Sequence, residues 1–293
     1  MKFSVLIVAR NSAPILKNLL DSLNSCDDVI LVNDRSTDNT NSIASIYENI
    51  TIIKSQDLIK DDQNMNPEQN LFYGNEAYFR NLTLNSITYK YDWVLILDSD
   101  ERVPSETLTA LKSIKPEADQ VAYSIKRNDI FLGKKLKYAQ QVGFYTRLIK
   151  IDSCSYKRPI NSYMVFKGKV KKLSLSFDHY PFALGLESWL NRHIQYSLIE
   201  TQKALSSTYQ KDNQFSLMNI ISNPPRQFLK NFFYLLYFRG FLKFLLLYIF
   251  RLGFLDGAPG YIYCMLIAWY ETLIEARQRI KMLEDRSIRS DLE

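Results

Sequence analysis

Two aspartates, Asp98 and Asp100, are the residues of this 293-residue chain whose type and spacing point most directly to chemistry. Side chains two positions apart in extended backbone point to the same side, so both carboxylates can converge on one hard cation such as Mg²⁺ or Mn²⁺. A Mg²⁺ ion held by one or two carboxylates normally completes its shell with phosphate and water oxygens. The pair therefore predicts a metal site, with Asp100 and Asp98 as ligands, for a phosphate-bearing substrate.

The apolar run at residues 93–97 directly precedes this pair and predicts a buried strand. Open α/β sheets bind ligands beside the carboxyl ends of their strands, which is where the two aspartates fall. Polar residues also follow the earlier apolar runs at 2–9 and 29–32. These strand ends carry Ala9, Arg10, Asn11, Asn33 and Asp34. Each residue singly fits turn chemistry, but together they indicate one crevice in which Asp34 accepts hydrogen bonds from a base or ribose.

Apolar runs alternate with helical patterns through the first part of the chain. The runs at 2–9, 29–32 and 50–53 are separated by helix-like segments at 14–23 and 38–47, which predicts a right-handed parallel α/β sheet. Helices at 76–87 and 104–114 and strands at 121–126, 144–151 and 163–166 extend it into a mixed section. We predict an α/β domain over 1–185, which contains the predicted metal site, and a helical region over 186–293.

The C-terminal region contains apolar helices interrupted by basic residues, at about 226–284. From Asn213 to Leu255 there is no Asp or Glu. Within the apolar stretch 228–250 the longest uncharged run, 231–238, is far shorter than the ~20 residues that a spanning helix needs. Such helices favour the membrane interface beside anionic lipid. The alternative is a set of buried helices in an α-helical domain or a dimer interface.

Composition narrows the possible functions. Residues 126–172 carry 13 Lys/Arg against 2 Asp/Glu, which indicates an anionic partner or a solvated basic face. No nucleic-acid-binding signature accompanies this block, so we expect no nucleic acid partner. No Gly-x-Gly-x-x-Gly follows the first strand, which disfavours a dinucleotide-dependent oxidoreductase. Only 3 Cys and 2 His are present, which excludes a disulfide scaffold and a His-rich metal site.

Five segments resemble the family 2 glycosyltransferases, in particular bacterial enzymes that extend lipopolysaccharide core or other surface glycans. They are VNDRSTDNT at 32–40, FRNLTL at 79–84, LDSDERV at 97–103, RNDIFLGK at 127–134 and GFLDG at 253–257. The resemblance implies a GT-A fold and sugar transfer from a nucleotide-sugar donor to a glycan or glycolipid acceptor, usually with inversion. It also implies a cytoplasmic enzyme, peripheral on the cytoplasmic face of the bacterial inner membrane.

The resemblance assigns roles to individual residues. Asp98 and Asp100 are the donor-facing and metal-facing carboxylates, Asp34 contacts the base or ribose, and Arg80 and Asn81 lie near the diphosphate. The predicted donor-binding residues are Ala9, Asn11, Asp34, Arg80, Asn81 and Asp98. The predicted catalytic residues are Asp98 and Glu101.

The base that accepts the proton of the acceptor hydroxyl stays open among three carboxylates. Glu101 is nearest in sequence to the aspartate pair, although it could instead cap or form a salt bridge, and Asp152 and Asp178 are alternatives. His179 and His193 are interpreted as packing or hydrogen-bonding residues, with a minor acceptor-side role open for His179.

The chain departs from the family pattern at several places, one of which is Arg10-Asn11-Ser12 in place of Lys-Asn-Glu, and two others bear on catalysis. Asn33 replaces an Asp, and Asn161-Ser162 stand where close relatives often carry His-Glu. These departures motivate a second hypothesis, a catalytically weakened, membrane-associated scaffold or binding protein.

Overall fold

The computed structural model describes residues 1–59, 76–140, 143–157, 162–209 and 237–290. The chain divides into two compact units. The first comprises Met1–Ile130 and Val142–Leu184, and the second comprises Phe131–Gln141 and Gly185–Glu293. Residues 131–141 thus belong with the second unit, whereas the predicted division into 1–185 and 186–293 places them in the first domain.

Four parallel strands form one half of the sheet in the first unit. They are β1 (Ser4–Ala9), β2 (Val29–Asn33), β3 (Ile50–Lys54) and β4 (Trp93–Asp98). β1 pairs with β2 and β4, and β2 pairs with β3. Their nearly continuous apolar sequences suit strands covered on both faces. Because Ala9 pairs with Asn33 and Val8 with Asp98, three strand ends meet at one edge of the sheet, as predicted.

The other half of the sheet is mixed. Its strands are β5 (Glu101–Arg102), β6 (Gln120–Phe131), β8 (Phe144–Lys150) and β11 (Lys169–His179), and β9 (Cys154–Lys157) forms a separate antiparallel pair with β10 (Tyr163–Phe166). The strand order is β3-β2-β1-β4-β8-β6-β11-β5. β8 is antiparallel to β4 and β6, while β11 is parallel to β6 and antiparallel to β5.

Helices cover both faces of this sheet. The helices of the first unit are α1 (Ala13–Ser22), α2 (Thr40–Ala44), α3 (Ser55–Ile59), α4 (Glu76–Asn85) and α5 (Ser105–Ser113). Successive β1 residues point to opposite faces, so Val5 belongs to the core cluster that contains Leu16 of α1, while Leu6 belongs to the cluster that contains Phe79 of α4. This confirms the mixed sheet flanked by helices that the predicted GT-A fold requires.

The second unit is helical. It contains the short strand β7 (Lys134–Lys135) and the helices α6 (Gly185–Tyr209), α7 (Arg239–Leu245) and α8 (Gly257–Ser290). A π-helical turn (Leu246–Phe250) and a 3₁₀ turn (Gly253–Asp256) connect α7 to α8. α7 packs closely on α8. The evidence is at Gly240, where an added Cβ would lie only 2.6 Å from the carbonyl oxygen of Ala268. The buried guanidinium of Arg239 binds Glu271 at 3.0 Å and Gln278 at 2.6 Å.

Within the described part of the chain, every helix is too short or too polar to cross a bilayer. Residues 226–236 of the predicted apolar helices and Asn161 fall outside the described residues.

Candidate functional site

Asp34 follows β2 and is the most enclosed carboxylate at the predicted edge. Its Oδ1 accepts a hydrogen bond from Ser55 Oγ at 2.9 Å, and its main-chain N–H donates to the carbonyl of Ala9 at 2.8 Å. Arg10 Nη1 lies 3.8 Å from Oδ2. Oδ2 is buried, yet it accepts no hydrogen bond from the described residues. Buried polar atoms are normally satisfied, so Asp34 presents an acceptor that a ligand N–H or O–H group would satisfy.

Hydrogen bonds to neighbouring loops fix the conformation of the loop after β1. Asn11 has a positive φ of 45°, and its Oδ1 accepts the N–H of Thr37 at 2.8 Å. Ser12 Oγ lies 3.0 Å from Ser99 Oγ, which joins this loop to the turn between Asp98 and Asp100. Ala9 is buried and supports Asp34 through its carbonyl, so its side chain is not available to a donor.

Asp98 lies between two arginines. Its Oδ1 is 3.5 Å from Arg80 Nη2, and its Oδ2 accepts from Arg147 Nη2 at 3.1 Å. Burial alone would raise the pKa of a carboxyl, but the charges of Arg80 and Arg147 outweigh it and hold the pKa of Asp98 well below its ordinary value. The side chain is 31% exposed, so this ionised carboxylate still reaches solvent. Arg80 also binds Glu76 at 2.8 Å.

Glu101, the first base candidate, is buried instead of facing solvent. It is 1% exposed, it contacts Arg147, and its Oε2 accepts the main-chain N–H of Asp98 at 3.1 Å. Burial raises its pKa to about 7, although the charge of Arg147 partly opposes this shift. A base must come within hydrogen-bond reach of the acceptor hydroxyl. The structure therefore does not fit Glu101 as the base, and it gives this residue a supporting position beneath Asp98.

The alternative base candidates lie apart from the aspartate pair. Lys150 of β8 pairs with Trp93 at the start of β4, so Asp152, which follows β8, lies at the opposite edge of the sheet from Asp98. Asp178 accepts from Asn128 Nδ2 at 3.1 Å and, as a neighbour in β11, points away from the face that carries His179.

Asp100 faces His179, a residue whose role the sequence does not reveal. His179 Nε2 lies 3.5 Å from Asp100 Oδ2, and Nδ1 lies 2.6 Å from Oδ1 of Asp129. The sheet register produces this cluster, because His179 of β11 pairs with Glu101 of β5 and with Asp129 of β6. Burial alone would lower the pKa of His179, but its contacts with Asp100 and Asp129 raise it to about 9.

These donor atoms fit a divalent cation at Asp100 and His179. A carboxylate oxygen and an imidazole nitrogen 3.5 Å apart are close to the separation of two neighbouring ligands of one ion. Metal-bound histidines usually donate their other N–H to a carboxylate, which is the position that Asp129 occupies. Asp98, predicted as the second metal ligand, is instead held by arginines. No three metal-ligating side chains converge in the described ranges, so phosphate and water would supply the remaining ligands.

Asn81 does not fit its predicted role as a donor contact. Its Nδ2 donates to the carbonyl of Tyr156 at 2.9 Å, and its Oδ1 accepts the N–H of Tyr156 at 2.7 Å. Both ends of the amide are therefore occupied by the main chain of β9, and Asn81 fixes α4 against that strand.

The N-terminal part of the chain matches one family model. The model of the family described as "Glycosyl transferase family 2" matches residues 4–71, which include β1, β2, β3 and Asp34. This match agrees with the resemblance drawn from the sequence over residues 4–71. No curated protein sequence matches the chain.

Several solved structures are similar to the chain. Staphylococcus aureus TarS 1-349 is 16% identical, with 95% of this chain and 92% of TarS 1-349 covered and a TM-score of 0.43. The complex of the same TarS fragment with UDP-GlcNAc is 24% identical, covering 55% of this chain and 42% of that one at a TM-score of 0.36. Mycobacterium tuberculosis glucosyl-3-phosphoglycerate synthase, in complex with Mn²⁺, UDP and glucosyl-3-phosphoglycerate, is 15% identical, covering 43% of this chain and 44% of that one at a TM-score of 0.34. The last two matches thus span less than half of the length of those chains.

Proposed function

We propose that this protein is a divalent-metal-dependent, inverting glycosyltransferase that moves a sugar from a nucleotide-sugar donor to a bacterial surface glycan or glycolipid. The observation that carries the proposal is the register of β1, β2 and β4. This register brings the open acceptor of Asp34 and the Asp98–Asp100 turn to one edge of the sheet. The hydrogen bond between Ser12 and Ser99 connects the two loops.

The environment of Asp34 supports one class of nucleotide base. A carboxylate oxygen that accepts hydrogen bonds selects a base edge that carries an N–H donor. Uracil, thymine and guanine present a ring N–H, whereas cytosine and adenine present a ring acceptor at the corresponding position. We therefore infer a uridine, thymidine or guanosine diphosphate sugar as the donor.

Asp100 and His179 are the residues that would hold the cation. When bound, Mg²⁺ or Mn²⁺ neutralises the diphosphate leaving group as a Lewis acid. Asp129 keeps the His179 ring in place through Nδ1. Arg80 and Arg147 keep Asp98 ionised and oriented, so that its solvent-accessible carboxylate can accept hydrogen bonds from donor hydroxyl groups.

A thermal-shift screen of nucleoside diphosphates with and without Mn²⁺ tests this function. We expect uridine, thymidine or guanosine diphosphate to raise the melting temperature in a Mn²⁺-dependent way, and the effect to disappear in His179→Ala. Asp152→Asn is the matched control, because it removes a carboxylate at the opposite edge of the sheet. A shift that needs no cation, or one that His179→Ala retains in full, would contradict the proposal.

The burial of Glu101 favours the alternative of a catalytically weakened scaffold or binding protein. Hydrolysis of the donor in the presence of Mn²⁺ separates the two, because a scaffold binds the nucleotide sugar but leaves it intact.

A further inference from the structure

Large apolar side chains project from the connection between α7 and α8 in the second unit. We call this set the apolar corner: Phe250, Leu252, Phe254 and Leu255, which are 76%, 44%, 43% and 50% exposed. Leu252 adopts a left-handed backbone conformation with φ 60°, which turns the chain sharply at this point. A contiguous exposed apolar surface of this kind marks an interaction site rather than ordinary surface.

The apolar corner continues along one side of α7. Phe241 and Leu242 lie in α7, and Leu246 and Ile249 lie in the π-helical turn that follows it. All four are exposed, and the intervals of four residues from 242 to 246 and three from 246 to 249 are typical of one helical stripe. Tyr261 and Met265 extend the exposed apolar surface onto the first turns of α8. The surface is therefore an extended face and not a single exposed residue.

A basic loop is fixed beside the apolar corner. We call residues 131–140 the lysine loop, since Lys134, Lys135 and Lys137 are exposed there. The buried carboxylate of Asp256 accepts the main-chain N–H groups of Lys137, Tyr138 and Ala139 at 2.9–3.1 Å. Lys134 Nζ donates to the carbonyl of Asp256 at 2.8 Å. Asp256 directly follows the apolar corner, so this residue holds the lysine loop next to it.

Leu132 at the tip of the lysine loop has the same character as the apolar corner. It has a positive φ of 49°, is followed by Gly133 at 73°, and is 64% exposed. A leucine in the left-handed conformation is strained, and asparagine or glycine would suit this turn better. An exposed leucine in a strained turn gains nothing from packing in the fold, which points to a partner outside it.

The charges favour a lipid surface over a second copy of the chain. Asp256 is the only acidic residue between positions 213 and 270, and its carboxylate is buried, so the described part of this face presents no negative side chain. Apolar and aromatic side chains flanked by lysines match a bilayer interface with anionic headgroups, to which each nearby lysine contributes attraction.

We propose that the apolar corner and the lysine loop dock this protein onto an anionic lipid bilayer without crossing it. Phe250, Leu252, Phe254 and Leu255 enter the boundary between headgroups and acyl chains. Lys135 and Lys137 contact lipid phosphates. The surface lies within the second unit, so its test does not depend on catalysis.

Co-sedimentation of the purified full-length protein with vesicles tests this proposal. The vesicles consist of phosphatidylcholine alone or of phosphatidylcholine mixed with phosphatidylglycerol. We expect the protein to pellet with the anionic vesicles, and added salt to weaken this binding because it screens the lysines. Both Phe250→Ser/Phe254→Ser and Lys135→Glu/Lys137→Glu should lower the partition coefficient by roughly tenfold or more.

Matched controls carry the same chemical changes elsewhere. Ile280→Ser/Leu283→Ser removes two exposed apolar residues roughly 35 Å further along α8, and Lys2→Glu/Lys115→Glu reverses two exposed charges in the first unit. Both should bind vesicles like the wild type, and thermal melting should confirm that all variants fold. The proposal is wrong if the wild type stays in the supernatant, or if the controls lose as much binding as the test variants. It is also wrong if Phe250→Ser/Phe254→Ser only dissociates a dimer in analytical ultracentrifugation.

Discussion

Asp34 has one buried carboxylate oxygen on which the proposed choice of nucleotide base rests. Its Oδ1 is satisfied by Ser55, while its Oδ2 is buried without a hydrogen-bond partner among the described residues. A buried acceptor left unsatisfied costs about 1–3 kcal/mol, and a bound N–H group recovers that energy. Under the proposed function, the free energy lost in the unbound protein therefore contributes to base selectivity.

We predict that Asp34→Asn weakens nucleoside diphosphate binding by about 10- to 100-fold, because the amide can turn an N–H group toward the N–H of the base. Isothermal titration calorimetry in the presence of Mn²⁺ measures the effect. Asp38→Asn is an unsuitable control, since Asp38 holds the N–H groups of Ala13 and Thr40. Asp152→Asn serves instead, and unchanged affinity in Asp34→Asn would remove this residue from the donor site.

At the scale of elements, α6 and α8 pack through an aromatic cluster around His193. The imidazole stacks on Trp189 at 3.6 Å between ring centroids and meets the edge of Tyr270 at 4.9 Å. Burial is the main cause that lowers the pKa of His193 to about 4, and the charge of Arg192 adds to it. The cluster therefore requires a neutral histidine.

This pKa predicts an acid-sensitive second unit. An unfolded histidine titrates near 6.5, so between pH 6.5 and about 4 the unfolded chain binds more protons than the folded one. The stabilisation is present above pH 6.5 and is lost as the pH falls to 4, by at most about 3 kcal/mol. Denaturant unfolding from pH 4 to 7.5 should show a shallower pH dependence in His193→Phe. An equal slope in both proteins would contradict the assignment.

At the scale of the whole molecule, the sequence predicts the parallel half of the sheet well. β1, β2 and β4 are apolar runs that end in polar residues, and this local pattern is sufficient to place Asp34 and Asp98 at one edge. The sequence does not predict β11 as a strand, because its residues are mostly exposed or half-buried and lysine and serine interrupt the apolar positions. β9 is only 4 residues long and is equally hard to detect.

The side-chain partners at the site depend on contacts that no local pattern contains. Glu101 contacts Arg147, 46 positions later, and this contact changes a predicted base into a buried support. Asp129 and His179 are 50 positions apart and meet only because β6 and β11 pair. The sequence leaves only a minor acceptor-side role open for His179, because the pairing that places it beside Asp100 joins distant strands.

The most direct test of the account is the Mn²⁺-dependent release of nucleoside diphosphate from nucleotide sugars by the wild type and by Asp100→Asn. Substitution of one carboxylate oxygen weakens the cation site and leaves the sheet intact. We predict release by the wild type with Mn²⁺, none after chelation with EDTA, and a loss of roughly 100-fold or more in Asp100→Asn. Full turnover in Asp100→Asn, or equal turnover in EDTA, would contradict the account.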